Sequence, residues 1–263
     1  MTRTGDPPDG LLMDMDGVLT VSWEPIPGAV EVVELLRAKG IPFRIMTNTT
    51  SHTRDALAGE LRRAGFDVEP GEVMTAPVAT AEYLRARHPG ARVFLLGETG
   101  VAGDLEGVTL TDDEPADVVV VGGADEAFVF DAMNRAFRMI VGGAAFVAMH
   151  RNMSWMTSEG LCLDAGAYVL GLEAATGRTP TVTGKPSREF FGAGLHALGL
   201  PPERVAMIGD DVETDVVAAQ HLGMTGVLTR TGKFRHEDLA RANGVPDLIV
   251  DSVADVPAAL GFG

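Results

Sequence analysis

Short apolar segments alternate with longer amphipathic segments along most of the chain. Nine apolar segments are too short for helices and are predicted as strands: residues 11–15, 43–46, 93–96, 118–121, 145–149, 181–183, 205–208, 225–228 and 248–250. Helical patterns fill most of the sequence between them. Such alternation is typical of a parallel α/β sheet with helices on both faces, and this is the fold class that the pattern predicts.

Helix ends are recognisable at a few positions. The helical pattern over residues 30–39 is followed by Gly40, a residue type that commonly ends helices. Ser51 is predicted to cap a second helix from about residue 52 to 64, which Gly65 would end. A third helix is predicted around residues 128–139. No linker or repeat separates these elements, so composition alone marks no domain boundary.

Composition and charge narrow the function classes. The 263 residues suffice for one large domain or two modest ones. The net charge of −16 argues against nucleic acid or an anionic membrane as the main partner. The longest uncharged apolar run has 11 residues, fewer than the roughly 20 that span a bilayer. The single cysteine, Cys162, excludes an intrachain disulfide and suits a reducing compartment, so we expect a cytoplasmic protein.

Candidate chemistry lies where four predicted strands end. The segments concerned are LLMDMDGVLT (11–20), FRIMTNTT (43–50), TVTGKPS (181–187) and VAMIGDDVETD (205–215). Ligands of open α/β sheets bind beyond the carboxyl ends of the strands, so these distant segments are expected to converge on one site.

Each of these segments also has a plain structural reading. Taken alone and in chain order, the four segments can be interpreted as an acidic turn, a helix cap, a solvated lysine and an acidic helix start. Together they combine several carboxylates, one lysine and helix N-terminal donors, which fits phosphate held beside a hard cation. Because no soft ligands accompany them, the pattern indicates Mg²⁺ rather than zinc.

Four motifs carry a resemblance to a known family. DMDGVL, TNTT, GKPS and GDDVETD resemble, in order and spacing, the motifs of the haloacid dehalogenase (HAD) superfamily. The 137-residue gap between Asn48 and Lys185 resembles the class IIA branch, whose large cap is inserted after the second motif. The resemblance implies a Rossmann-like parallel-sheet core over residues 1–76 and 181–263, with an α/β (C2-type) cap over residues 77–180.

The resemblance also implies roles for individual side chains. Asp14 would be the nucleophile, and Asp16 the general acid and base. Magnesium would be held by Asp14, Asp16 and Asp210, with Asp211 and Asp215 supporting these ligands. The remaining assignments are phosphate-binding residues: Thr47, Asn48 and Lys185.

The function implied is hydrolysis of small phosphorylated metabolites through an aspartyl-phosphate, with Mg²⁺ as cofactor. Asp16 is typical of the p-nitrophenyl phosphatase-like group within the superfamily. Three alternatives stay open: a phosphoamide or pyrophosphate phosphatase, a phosphotransferase that uses the same residues, and a non-catalytic phospho-ligand binding protein. The sequence also leaves open a homo-oligomer, and whether the cap residues Met149, His150, Arg151 and Trp155 face the substrate or serve in packing.

Overall fold

The computed structural model describes residues 6–97, 99–157 and 160–262. Their contacts divide the chain into two compact units, each formed by more than one stretch of sequence. The first unit holds residues 6–47, 54–74 and 191–262, and the second holds the described residues between 48 and 53 and between 75 and 190. The boundaries of the core and cap given above stay a prediction.

The described part of the first unit holds a six-stranded sheet flanked by helices, and β2 and β3 pair separately as a two-stranded sheet. Its strands are β1 (Gly10–Asp14), β2 (Thr20–Val21), β3 (Glu24–Pro25), β4 (Phe43–Thr47), β5 (Val73–Thr75), β13 (Val205–Gly209), β14 (Thr225–Thr229) and β15 (Leu248–Val250). Its helices are α1 (Ala29–Lys39), α2 (Arg54–Arg63), α6 (Arg188–Leu198), α7 (Ala218–Gln220), α8 (His236–Arg241) and α9 (Val256–Ala259), with a π-helical turn over Val212–Val217. The end of β5 and the first three residues of α6 cross into the second unit. The sheet order is β15-β14-β13-β1-β4-β5, and the first five strands are parallel to their neighbours.

The central strand β1 is buried on both faces, as its continuous apolar run predicts. Leu11 and Met13 join the main hydrophobic core of this unit. Leu12 lies on the opposite face, where its side chain would be 3.1 Å from a Cβ added at Gly194 in α6. Helices therefore cover both faces of the sheet, and the carboxyl ends of β1, β4 and β13 are held side by side.

One helix prediction in this unit is wrong at its start. Helix α2 begins at Arg54, so Ser51 does not cap it; the Ser51 hydroxyl lies 3.0 Å from Nδ1 of His52 instead. Because Ser hydroxyls also bond to neighbouring side chains, a serine before a helical pattern does not fix where the helix starts. The predicted end is confirmed, since Gly65 follows α2 with φ of 100°.

The described part of the second unit holds a five-stranded parallel sheet, three α-helices and a hairpin. Its strands are β6 (Arg92–Leu96), β7 (Thr109–Leu110), β8 (Val118–Val121), β9 (Ala145–Ala148), β10 (Ser154–Thr157), β11 (Gly160–Leu163) and β12 (Thr181–Val182). Its helices are α3 (Ala76–Arg87), α4 (Phe130–Val141) and α5 (Ala165–Thr176). The sheet order is β12-β9-β8-β6-β7, all parallel, while β10 and β11 pair antiparallel.

Strand β8 shows how this second sheet is covered. Val119 and Val121 pack with residues of α4 and α5, whereas Val118 and Val120 pack with residues of α3. Burial on both faces explains why this strand is four valines without polar alternation. The carboxyl ends of β8, β9 and β12 meet at one edge of the sheet.

All nine strands predicted from the apolar segments are confirmed. The strands that the sequence did not predict are short or partly exposed, such as β2, β3 and the β10–β11 hairpin, because their apolar signal is weak. Across the described ranges, no helix is both long enough and apolar enough to cross a membrane.

Candidate active site

Asp14 is the last residue of β1, between the ends of two parallel neighbours. In register, Met13 pairs with Ile208 of β13 and Asp14 pairs with Met46 of β4. The Asp14 side chain is 4% exposed, and its Oδ1 accepts a hydrogen bond of 2.8 Å from the Met15 amide. The strand end therefore fixes this carboxylate in a buried, defined position.

Asp210 directly follows β13 and is almost completely buried. Its Oδ2 accepts a hydrogen bond of 2.6 Å from the backbone amide of Lys233. Two glycines with positive φ approach the same oxygen: a Cβ at Gly17 would lie 2.0 Å from it, and one at Gly232 would lie 2.1 Å from it. Glycine at both positions is thus what lets the two loops close around the Asp210 carboxylate.

Asp215 lies in the π-helical turn after β13, and its side chain is buried. Its Oδ2 accepts from the Asp211 amide at 3.3 Å. The Asp211 side chain instead caps the turn, since its Oδ1 accepts from the amides of Glu213 at 3.0 Å and Thr214 at 2.9 Å. Of these two acidic residues, Asp215 contributes its carboxylate to the interior and Asp211 orders the turn that carries it.

The carboxylates of Asp14, Asp210 and Asp215 form one cluster, in which oxygens of the three residues lie within 4.8 Å of one another. Buried carboxylates this close repel each other unless a cation or a proton lies between them. Hard divalent cations prefer ligand sets that consist of oxygen atoms only. The cluster therefore fits a divalent metal ion.

Two further predicted residues of the first unit lie near Asp14, one on the neighbouring strand and one further along the chain. Thr47 is the buried last residue of β4, the strand beside β1. Asp16 lies two residues beyond Asp14 and forms an isolated bridge with Thr20; it is exposed, whereas residues 17–20 of the turn that follows are buried. The turn is closed by a hydrogen bond of 2.7 Å from the Gly17 amide to the Thr20 carbonyl. Asp16 is thus open to solvent while Asp14 is buried.

A cavity of about 420 Å³ adjoins Asp210 within the first unit. Charged side chains of both signs line it, among them Glu213, Lys233, Arg235 and Arg241. Of the three clustered carboxylates, Asp210 is the one that lines this cavity, so the cavity lies to one side of the cluster.

Asn48 and Lys185, which are 137 positions apart, meet in the second unit. The Asn48 Oδ1 accepts from the Lys185 amide at 2.7 Å, and its Nδ2 donates to the Lys185 carbonyl at 3.1 Å. Close packing at Gly184 supports the pair, because a Cβ there would lie 2.7 Å from the Asn48 Oδ1. One amide side chain therefore holds both backbone groups of the lysine.

Four residues of the predicted cap, whose role the sequence left open, differ in burial. Met149 and His150 are buried, whereas Arg151 pairs with Glu173 at the surface and Trp155 is 45% exposed. Burial lowers the pKa of His150 below its ordinary value of 6.5, and the nearby Asp164 carboxylate opposes this shift. His150 and Met149 are thus interior residues, and Trp155 is at the surface.

Sequence reasoning did not identify Lys233 as a backbone donor to Asp210, nor Gly17 and Gly232 as the residues that make room for it. The only signal was that a glycine follows each of two strand ends, in DMDG and TRTG. A glycine at a strand end is too common to be assigned a role without coordinates. Backbone donors have no residue-type signature at all.

Two family models match the chain. The model described as haloacid dehalogenase-like hydrolase matches residues 11–111, and the one described as HAD-hydrolase-like matches residues 182–256. Together the matched segments contain all four motifs noted in the sequence.

Named relatives agree with these models. The chain is 36% identical to human haloacid dehalogenase-like hydrolase domain-containing protein 2 over 242 residues, 92% of each chain. It is 36% identical to rat phospholysine phosphohistidine inorganic pyrophosphate phosphatase over 254 residues, covering 93% of this chain and 92% of the relative.

Solved structures give the same result. The p-nitrophenyl phosphatase from Archaeoglobus fulgidus is 31% identical, with a TM-score of 0.89 over 97% of this chain and 100% of the other. NagD from E. coli K-12 is also 31% identical, with a TM-score of 0.86 over 97% of this chain and 98% of the other. The chain therefore belongs to the haloacid dehalogenase superfamily, and it is a phosphatase of that family.

Proposed function

We propose that this phosphatase hydrolyses small phosphomonoesters with Mg²⁺ and through a covalent aspartyl-phosphate on Asp14. The observation that carries the proposal is the cluster of three buried carboxylates at the carboxyl ends of β1 and β13. A nucleophilic carboxylate beside a hard cation is a combination that suits phosphoryl transfer.

Mg²⁺ is the cation we propose, held by the carboxylates of Asp14 and Asp210 and by the main-chain carbonyl of Asp16. Asp215 and Asp211 would support these ligands, the first through its carboxylate and the second through the turn that it caps. When bound, the ion would offset the negative charge of the phosphate and carboxylate oxygens.

Asp14 is proposed to attack phosphorus with a carboxylate oxygen while the bond from phosphorus to the ester oxygen breaks. Water then attacks the aspartyl-phosphate, which releases inorganic phosphate and regenerates the carboxylate. The hydrogen bond from the Met15 amide to Oδ1 restricts rotation of the side chain, so it favours a fixed direction of attack.

Asp16 is proposed to donate a proton to the departing ester oxygen and then to accept one from the attacking water. Its exposed position two residues after the nucleophile lets it exchange that proton with solvent. Such general acid help contributes about 10²–10⁴-fold in typical enzymes.

Thr47, Asn48 and Lys185 are proposed to hold the phosphoryl oxygens. Thr47 and Asn48 are consecutive residues, and Asn48 already fixes the backbone of Lys185. The lysine ammonium would offset the negative charge of the phosphoryl group.

Small phosphorylated metabolites are the substrates we propose, because the p-nitrophenyl phosphatase of A. fulgidus is named for a small aryl ester. The name of the rat relative favours a second candidate, hydrolysis of phosphoamides and pyrophosphate. In either case residues 77–180 are proposed to form a cap domain, and residues 1–76 and 181–263 the core. The cytoplasmic location and a homo-oligomer stay predictions of the sequence.

Phosphate release from p-nitrophenyl phosphate, sugar phosphates, nucleoside monophosphates, pyrophosphate and a phosphohistidine protein tests the substrate class. We expect a small ester to have the highest kcat/KM. A tenfold lead for the phosphoprotein or pyrophosphate would instead support the second candidate.

Removal and replacement of the metal tests the cofactor. We expect EDTA to stop turnover, Mg²⁺ to restore it, and Ca²⁺ to fail, because Ca²⁺ takes more ligands at longer distances. Mg²⁺ should also raise the melting temperature of the apo protein by mass action. Full activity in excess EDTA, with no metal found by elemental analysis, would contradict the metal assignment.

A further inference from the structure

A buried histidine in the second unit contacts the segment that carries Asn48. His150 follows β9, Gly123 follows β8, and Gly184 follows β12, so all three lie at one edge of this parallel sheet. Residues 48–53 pack at that edge: a Cβ at Gly123 would lie 2.1 Å from Thr50 Oγ1, and one at Gly184 would lie 2.7 Å from Asn48 Oδ1. The segment is therefore fitted against the ends of the sheet.

The hydrogen bonds of His150 define its tautomer. The Asn152 amide donates to Nδ1 at 3.3 Å, which requires a lone pair on that nitrogen and places the proton on Nε2. Nε2 lies 3.5 Å from Thr50 Oγ1 and 3.8 Å from Asp164 Oδ1. The neutral imidazole thus directs its one N–H group toward Thr50 and Asp164.

Asp164 is itself held in place from two sides. Its Oδ1 accepts from the Ala165 amide at 2.7 Å, where it caps helix α5, and from the Ala124 amide at 3.5 Å. Asp164 is 6% exposed and His150 is 2% exposed. The carboxylate therefore gives the imidazole a fixed neighbour rather than a mobile surface charge.

The Thr50 hydroxyl depends on this histidine. Among the described residues, the Thr50 hydroxyl has one hydrogen-bonding partner, the Nε2 of His150. Thr50 is 8% exposed. Since a buried hydroxyl without a partner is unfavourable, the bond selects one placement of Thr50. Asn48 lies two residues before it and binds both backbone groups of Lys185.

We infer that His150 is a positioning residue for phosphate binding: through the Thr50 hydroxyl it holds residues 48–53 so that Asn48 fixes the backbone of Lys185. This inference rests on the proposed function, in which Asn48 and Lys185 hold the phosphoryl group. A histidine that served in packing alone would not change how the folded enzyme binds phosphate.

Paired variants test the inference. H150L and T50V remove the two ends of the bond, whereas H150Q and T50S keep an N–H donor and a hydroxyl. We expect H150L and T50V each to raise KM for p-nitrophenyl phosphate and Ki for inorganic phosphate by about tenfold, with a smaller change in kcat. The double variant should lose no more than either single one, because both remove the same bond. T50S and H150Q should recover most of the affinity.

T176V is the matched control, because the Thr176 hydroxyl bonds to the Leu172 carbonyl in the same unit but away from residues 48–53. Melting temperatures are measured for all variants, and phosphate binding is also measured by calorimetry. A fall in melting temperature with unchanged KM and Ki in H150L and T50V would overturn the inference alone. A wild-type chain that neither hydrolyses p-nitrophenyl phosphate nor binds phosphate would overturn the proposed function and this inference with it.

Discussion

The two units hold their buried polar groups by different means. In the first, three carboxylates converge, and backbone amides and closely packed glycines fix them. In the second, neutral groups pair with one another: the Asn48 amide with the Lys185 backbone, and the His150 imidazole with the Thr50 hydroxyl. A single carboxylate, Asp164, lies beside this neutral network, 3.8 Å from the His150 Nε2. Concentrated charge favours a bound cation, whereas a paired neutral network favours one fixed geometry.

The comparison predicts different consequences for substitutions in the two regions. A change in the carboxylate cluster alters the chemistry itself, so its effect on kcat should be large. A change in the neutral network alters placement, so its effects should fall on KM and on stability.

Asp14→Asn should lower kcat by about a hundredfold or more, because the amide is nearly isosteric but cannot attack phosphorus. The Met15 amide can still donate to the side-chain oxygen, and one of three mutually repelling buried charges is removed, so the melting temperature without metal should not fall. Steady-state phosphate release and thermal unfolding measure the two effects. Asp131→Asn, at an exposed position on α4, is the control and should keep wild-type kcat. More than about one per cent residual activity would contradict the assignment of the nucleophile.

Asp16→Ala should slow esters with poor leaving groups by about 10²–10⁴-fold and affect p-nitrophenyl phosphate much less. Only a poor leaving group needs a proton as its bond to phosphorus breaks. The measurement is kcat/KM across a series of esters that differ in leaving-group pKa. An equal loss for all of them would remove the acid role from Asp16.

Gly232→Ala should reduce Mg²⁺ affinity and activity by about 10–100-fold, the range found when groups that orient metal ligands are lost. The new Cβ would lie 2.1 Å from the Asp210 Oδ2, so this carboxylate would have to move. Gly40→Ala is the matched control, since Gly40 has a similar φ of 67° but nothing within 4 Å of the added Cβ. Backbone strain of about 1–2 kcal/mol should be common to both variants. If both lose activity equally, strain rather than displacement of Asp210 is the cause.

Much of the first unit was predictable from the sequence, and less of the second. The strands around Asp14 and Asp210 are continuous apolar runs ending in acidic residues. The same short segments therefore predict both the strand and the candidate functional side chain. The His150 network was not predictable, because Thr50, His150 and Asp164 lie in three separate segments. Thr50 is the last residue of the TNTT motif, but nothing in the sequence pairs it with the other two. Ser51 shows the opposite error: a residue type that favours a cap lies outside the helix that begins at Arg54.

The neutral state of His150 predicts a pH dependence of stability, the smallest effect expected. Burial lowers the pKa of His150 in the folded chain below 6.5, so the unfolded chain takes up this proton first as pH falls. The stability from a neutral His150 is therefore fully present above about pH 6.5 and is lost as pH falls from there toward the lower folded pKa.

Urea unfolding at pH 8 and at successive steps below pH 6.5 measures this loss. H150Q cannot take up the proton, so the free energy of unfolding of wild type should fall relative to H150Q by up to about 1.4 kcal/mol per pH unit. His221→Gln, at an exposed position, is the control for removing a histidine without disturbing the interior. Parallel curves for wild type and H150Q would mean that His150 is protonated equally in the folded and unfolded chains. The imidazole would then contact more water than its burial implies. The neutral network of the second unit would accommodate a charged side chain, as the carboxylate cluster of the first unit does, and the difference between the two units would disappear.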